Sequence, residues 1–122
     1  MYMVMLILHK MDECTPVLDA WEETGVGGIT ILESSGLGRV RKARDRSGIP
    51  LMPSLSDFLK RPEERHRTIF TVVEGEEWVD RLIDATEKVI GDLENPDNGV
   101  LFVLPVYRAK GLKGGQERAK KR

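Results

Sequence analysis

The sequence has one cysteine, two histidines and few aromatic residues, the last making up 6% of its 122 positions. Cys14 has no second cysteine to pair with, which excludes a disulfide-stapled scaffold and fits a reducing, cytoplasmic setting. His9 and His66 lie far apart in the chain and show no metal-ligand spacing, so no metal site is expected. The apolar opening MYMVMLIL is eight residues long, lacks a basic leader and runs directly into His9-Lys10-Met11-Asp12-Glu13. It is too short for a membrane span and lacks the form of a signal peptide. GxSxG, Walker and zinc motifs are missing, and neither histidine has a nucleophile or carboxylate placed beside it by spacing, so the chain is not expected to be an enzyme. Nor does either sign of charge dominate. Nineteen Lys and Arg against twenty Asp and Glu leave a net charge of −1, with no overall field to recruit nucleic acid or an anionic membrane.

What is present is the composition of an ordinary globular domain, 40% hydrophobic and 32% charged, in a length suited to one core. The charge is unevenly placed. Seven basic residues and one acidic residue, Glu117, fall between Arg108 and Arg122, so residues 1–107 carry a net −7. The closing segment GLKGGQERAKKR has three glycines and one large apolar side chain, Leu112, too little to offset the entropy of ordering it. Residues 111–122 are therefore expected to be a flexible basic tail. No stacking aromatics are interleaved with its cations, which disfavours a nucleic-acid arm.

Periodicity supplies the elements. Residues 2–9 are a continuous apolar run, expected as a buried strand. Asp12 and Thr15 offer helix caps and Pro16 suits a first turn; Val17, Leu18 and Trp21 then recur at helical spacing until Gly25. Ile29 to Leu32 form a β-branched run ending at Ser34-Ser35-Gly36, and Thr68 to Val73 form another. Between them, residues 40–67 are polar and interrupted by Pro50, Pro53 and Pro62, which predicts an extended loop with a short helical segment near Phe58. Trp78, Val79, Leu82, Ile83, Thr86, Val89 and Ile90 mark one face of a second helix. VLFVLPV, Val100 to Val106, is the fourth strand, with Pro105 placing its end at an edge or bulge. The order βαββαβ predicts an α+β, ferredoxin-like domain over residues 1–110: a four-stranded antiparallel sheet with two helices on one face. The other face is left uncovered. Met3, Met5, Ile31 and Phe102 are expected there, and burial in a symmetric homo-oligomer is the plain remedy.

Particular residues then point further. The segment GVGGITILESSGLGR, Gly25 to Arg39, together with VVEGEEWVDRLIDA and VLFVLPV, resembles the P-II nitrogen-regulatory signal-transducing proteins. The resemblance covers residues 1–110 apart from 40–67. It implies a cytoplasmic homotrimer that binds a small nucleotide such as AMP, ADP, ATP or a cyclic dinucleotide in clefts between subunits, and that controls a target protein, a transporter or enzyme, through its long loop. By position, Leu8, Gly28, Ile29 and Thr30 would form the nucleobase pocket, with Thr30 bonding an adenine edge. Gly36, Leu37, Gly38 and Arg39 would form the turn at the loop base, where glycines expose N–H groups and Arg39 can grip phosphate through its fork.

The sequence departs from the family pattern where triphosphate is held. The family's glycine-rich loop T-G-x-x-G-D-G-K corresponds here to LENPDNGV, Leu93 to Val100. Asn98 and Gly99 survive, Val100 stands in place of the lysine, and Glu94 and Asp97 repel phosphate. The family's two arginines after the last strand fall at Gly111 and Lys113, with Arg108 and Lys110 as neighbouring substitutes. The 40–67 segment has no tyrosine to accept a uridylyl group, while Ser47 lies in the basic context of a phosphorylation site.

Each feature also has a plainer reading. Gly36-x-Gly38 is compatible with a simple hairpin exit, the cluster Arg39, Arg41, Lys42, Arg44 and Arg46 with a solvated loop, Cys14 with packing, and Trp21 and Trp78 with core or trimer-interface anchors. The alternative functions are a trimer resembling the divalent-cation-tolerance proteins and a scaffold of the same fold that binds no ligand.

Overall fold

The computed structural model describes residues 1–36, 64–95 and 97–112. Leu37, Gly38, Arg39, Ser47, the 40–63 part of the expected loop and the tail from Lys113 lie outside the described residues. Strands β1 (Tyr2–Leu8), β2 (Thr30–Gly36), β3 (Glu64–Val73) and β4 (Val100–Pro105) form an antiparallel sheet in the order β2-β3-β1-β4, with helices α1 (Cys14–Glu23) and α2 (Glu76–Ile90) in the connections. This is the βαββαβ arrangement expected from the pattern.

The core lies between the helices and one face of the sheet. In β1, Val4, Leu6 and Leu8 are fully buried, and the register sets Leu6 opposite Ile69 on β3 and Leu101 on β4. Against them pack Val17 and Trp21 of α1 and Val79, Leu82 and Ile90 of α2. The buried residues of α2, Val79, Leu82, Thr86 and Ile90, recur at three- and four-residue steps, as one stripe of a 3.6-residue helix requires. Burial of each large aliphatic side chain contributes about 1.5–3 kcal/mol, which explains how short elements hold together. Helix α1 ends at Glu23 with Thr24 as its C-cap, and Gly25 follows with a φ of +93°, a conformation other residues resist.

Three details differ from the sequence expectation. Helix α1 is entered through a 3-10 turn, Met11–Glu13, and its N-cap is Glu13 with no side-chain cap, so Asp12 and Thr15 do not cap it. Pro16 does fall in its first turn. Strand β3 begins at Glu64 rather than Thr68, taking the last four residues of the expected 40–67 loop. Their charge disguised them as loop, yet they pair with the end of β2, Gly36 opposite Glu64 and Glu33 opposite Arg67, where an Arg67–Glu33 ion pair spans 3.4 Å. Because β1 ends at Leu8, opposite Arg67, the β2–β3 pair runs on beyond it as a two-stranded arm. Finally, Ile31 opposes Ile69 and so belongs to the helix-covered face; Leu32, opposite Thr68, occupies the open face instead.

That open face is apolar. Met5 lies between Phe70 and Phe102, and Met3 between Val72 and Leu104. Leu32, Phe102 and Leu104 are 51%, 47% and 44% exposed, a cost that a lone subunit leaves standing. Strand β4 is an edge strand ending at Pro105, which has no N–H to offer a further neighbour.

Candidate functional site

Where α1 returns to the sheet, Gly27 and Gly28 precede β2 and leave its edge open. Gly27, Gly28, Ile29 and Thr30 line a cleft of about 280 Å³ with Phe70, Thr71 and Val72 of β3 and with Gly111 and Leu112 from beyond β4. The hydroxyl of Thr71 donates to the Gly28 carbonyl and fixes the glycine segment to β3. A Cβ on Gly28 would meet nothing within 4 Å, so the space beside it is free for a ligand to approach the backbone. Thr30 is exposed at the mouth and Ile29 half-buried. Three expected nucleobase residues are thereby brought together. Leu8 is not among them: its side chain is fully buried in the core.

The opposite edge carries the segment corresponding to the phosphate loop. Its backbone is closed on itself: Asn95 N–H donates to Asp92 O at 3.0 Å, Asn98 N–H to Asn95 O at 3.2 Å, and Asn98 Nδ2 to Asp92 O at 2.7 Å. Two further N–H groups are taken by carboxylates, Leu93 by Glu87 Oε2 and Glu94 by Asp92 Oδ1, both at 2.9 Å. Those are donors that a phosphate cradle would aim at its ligand, and here the protein's own anions occupy them. Gly99, with φ +123°, lets the chain pass the Ile7 carbonyl, which a Cβ would meet at 2.8 Å. A recess of about 390 Å³ between α2 and β4 is lined by Glu87, Leu93, Glu94 and Gly99.

Strands β3 and β1 separate the two edges, and three strand spacings amount to roughly 14 Å. One chain therefore does not assemble Gly28–Thr30 and Asn98–Gly99 into a single pocket. Gly36 is at the far end of β2, packed against the His66 ring. Arg108 lies 5.6 Å from the centre of the Tyr107 ring, an aromatic that is 93% exposed, and Lys110 is exposed nearby.

The model of the family described as Nitrogen regulatory protein P-II matches residues 1–116. The chain belongs to the P-II family. A regulatory role in signal transduction follows from membership of P-II, whose proteins are regulators rather than enzymes. No curated protein matches the chain significantly. Among the described residues of this P-II protein, no helix is long and apolar enough to cross a membrane.

The P-II resemblance drew attention to Gly28, Ile29 and Thr30, but not to Phe70, Thr71, Val72 or Leu112 on the other wall. Strand register puts Phe70, Thr71 and Val72 there, and only Thr71, a hydroxyl within the apolar run Ile69 to Val73, carried a visible hint.

Proposed function

We propose that this P-II protein is a homotrimeric regulator that binds an adenine nucleotide with one or two phosphates, AMP or ADP, in clefts between subunits, and reports that state to a target protein such as a transporter or enzyme. The cleft at Gly27–Thr30 carries the reading: it offers an open glycine backbone, a hydroxyl at Thr30 and an aromatic wall at Phe70. Separation of this cleft from Gly99 by the width of the sheet supports completion of each site by a neighbouring subunit. The apolar open face supports the trimer.

The Asp92–Gly99 turn supports the short phosphate chain of this reading. The carboxylates of Glu87, on α2, and of Asp92 already bond the N–H groups of Leu93 and Glu94, so a third phosphate would find negative charge where it needs donors. Arg39 and the cations Arg108, Lys110 and Lys113 are the proposed grips for a shorter phosphate chain. Binding would favour one state of the 40–67 segment and the basic tail, and the target would read that state, a population shift set by the ligand's unequal contacts.

Calorimetric titration of the full chain with AMP, ADP, ATP and cyclic dinucleotides tests this. AMP or ADP should bind one per subunit, more tightly than ATP. Binding of none of them, with Arg39→Ala silent in cells, overturns the proposal. A scaffold without ligand is the second reading, favoured by the self-satisfied turn; it predicts a trimer whose melting temperature no nucleotide raises.

A further inference from the structure

The protein has two histidines, and the fold puts them in contact. The β1–β3 register ends with Leu8 opposite Arg67; just beyond that pair, the rings of His9 and His66 meet at the base of the β2–β3 arm. Their ring centroids are 4.6 Å apart and their planes tilted by 34°, neither a parallel stack nor an edge-to-face pair. His9 Nδ1 is shielded from solvent and has no hydrogen-bond partner among the described residues, an unusual state for a buried polar atom. On the other side, the His66 ring occupies the space above Gly36, where a Cβ would come within 2.3 Å of Cε1 and 2.8 Å of Nε2.

We propose that His9 and His66 bind a divalent transition cation of the class that prefers imidazole, Zn²⁺ or Cu²⁺, and not the oxygen-seeking Mg²⁺ or Ca²⁺. With metal–nitrogen bonds of about 2.0–2.1 Å, each ring centroid stands about 3.2 Å from the ion, which sets the rings roughly 4.5 Å apart at the right angle of square-planar Cu²⁺ and about 5.2 Å apart at the tetrahedral angle of Zn²⁺. The observed 4.6 Å matches the first and is roughly 0.6 Å short of the second. A ring nitrogen of His9 left without a partner gains one on coordination. No third His, Cys, Asp or Glu joins the pair among the described residues. The ion would tie the end of β1 to the arm that leads into and out of residues 37–63, fixing the base of that segment.

The full chain, stripped of metal, is titrated separately with Cu²⁺, Zn²⁺ and Mg²⁺. One Cu²⁺ per chain should bind with an electron paramagnetic resonance spectrum split by two nitrogens, and Mg²⁺ should leave the histidines unaffected. His9→Gln and His66→Gln should each weaken Cu²⁺ binding at least tenfold and leave one nitrogen, with circular dichroism and oligomer mass unchanged. Gly36→Ala, which displaces the His66 ring, should weaken it severalfold. Should either glutamine variant fail to fold, nuclear magnetic resonance of the unaltered chain serves: Zn²⁺ must shift the ring signals of both histidines. Unchanged Cu²⁺ affinity in a folded glutamine variant, no nitrogen splitting, or Zn²⁺ shifts at fewer than two histidines overturns the site and leaves a packed ring pair.

Discussion

The indole N–H of Trp21 donates a 2.8 Å hydrogen bond to the hydroxyl of Thr86, joining α1 to α2 in the fully buried centre of the core. Thr86 in turn donates to the Leu82 carbonyl at 2.6 Å, so both polar side chains are satisfied inside an apolar layer. A threonine on the buried stripe of α2 is thus the partner that lets a tryptophan fill the core.

Thr86→Val keeps the shape and leaves the indole N–H unpaired. It should cost about 1–3 kcal/mol and lower the melting temperature by several degrees, read by calorimetry at fixed protein concentration. Thr86→Ser should lose less. In a double-mutant cycle, Trp21→Phe with Thr86→Val should cost less than the sum of the two, since Thr86→Val alone strands the indole N–H that Trp21→Phe removes.

Glycines at the two edges of the sheet serve different ends. Gly99→Ala forces a side chain onto the Ile7 carbonyl at an unfavourable φ and should destabilise the fold by about 1–3 kcal/mol in denaturant titration. Gly28→Ala meets no atom, should change stability by less than about 0.5 kcal/mol, and should instead weaken AMP or ADP binding by filling the cleft.

Thr71→Val removes the bond that holds Gly28 against β3. About 1 kcal/mol of cleft order is at stake, so nucleotide affinity should fall roughly fivefold in calorimetry while the cleft's other walls remain.

Replacing Glu87 by Gln together with Asp92 by Asn withdraws two negative charges from the N–H groups of Leu93 and Glu94. The ratio of ATP to ADP affinity should rise, by about fivefold if 1 kcal/mol of repulsion is relieved. An unchanged ratio would locate the ligand's phosphates elsewhere.

Phe102→Asp places a charge at the centre of the open face, opposite Met5. Desolvating that carboxylate costs several kcal/mol, enough to dissociate the proposed trimer, and native mass spectrometry should record trimer for the unaltered chain and monomer for the variant.

The two helices and the buried strands were legible because their patterns are self-contained: the α2 stripe repeats at helical spacing and the opening strand is continuously apolar. Arg67, paired with Glu33, shows where legibility ended. Charged residues at the start of β3 read as loop, and only the partner strand reveals the ladder they complete. Ile31 and Leu32 failed for another reason: both are apolar, and strand alternation gives faces without saying which face is which.

For the site, the sequence alone determined local chemistry: glycines and Thr30 at the start of a strand, a valine in place of a phosphate-binding lysine with carboxylates beside it, and two histidines without metal-ligand spacing. Tertiary structure decided which of these meet. It closed the cleft with Thr71 and Phe70, turned Glu87 and Asp92 onto the N–H groups of the Leu93–Gly99 turn, and set His9 against His66. Such contacts depend on register between strands far apart in the chain, which hydrogen-bond pairing and core burial fix together and local residue spacing cannot express.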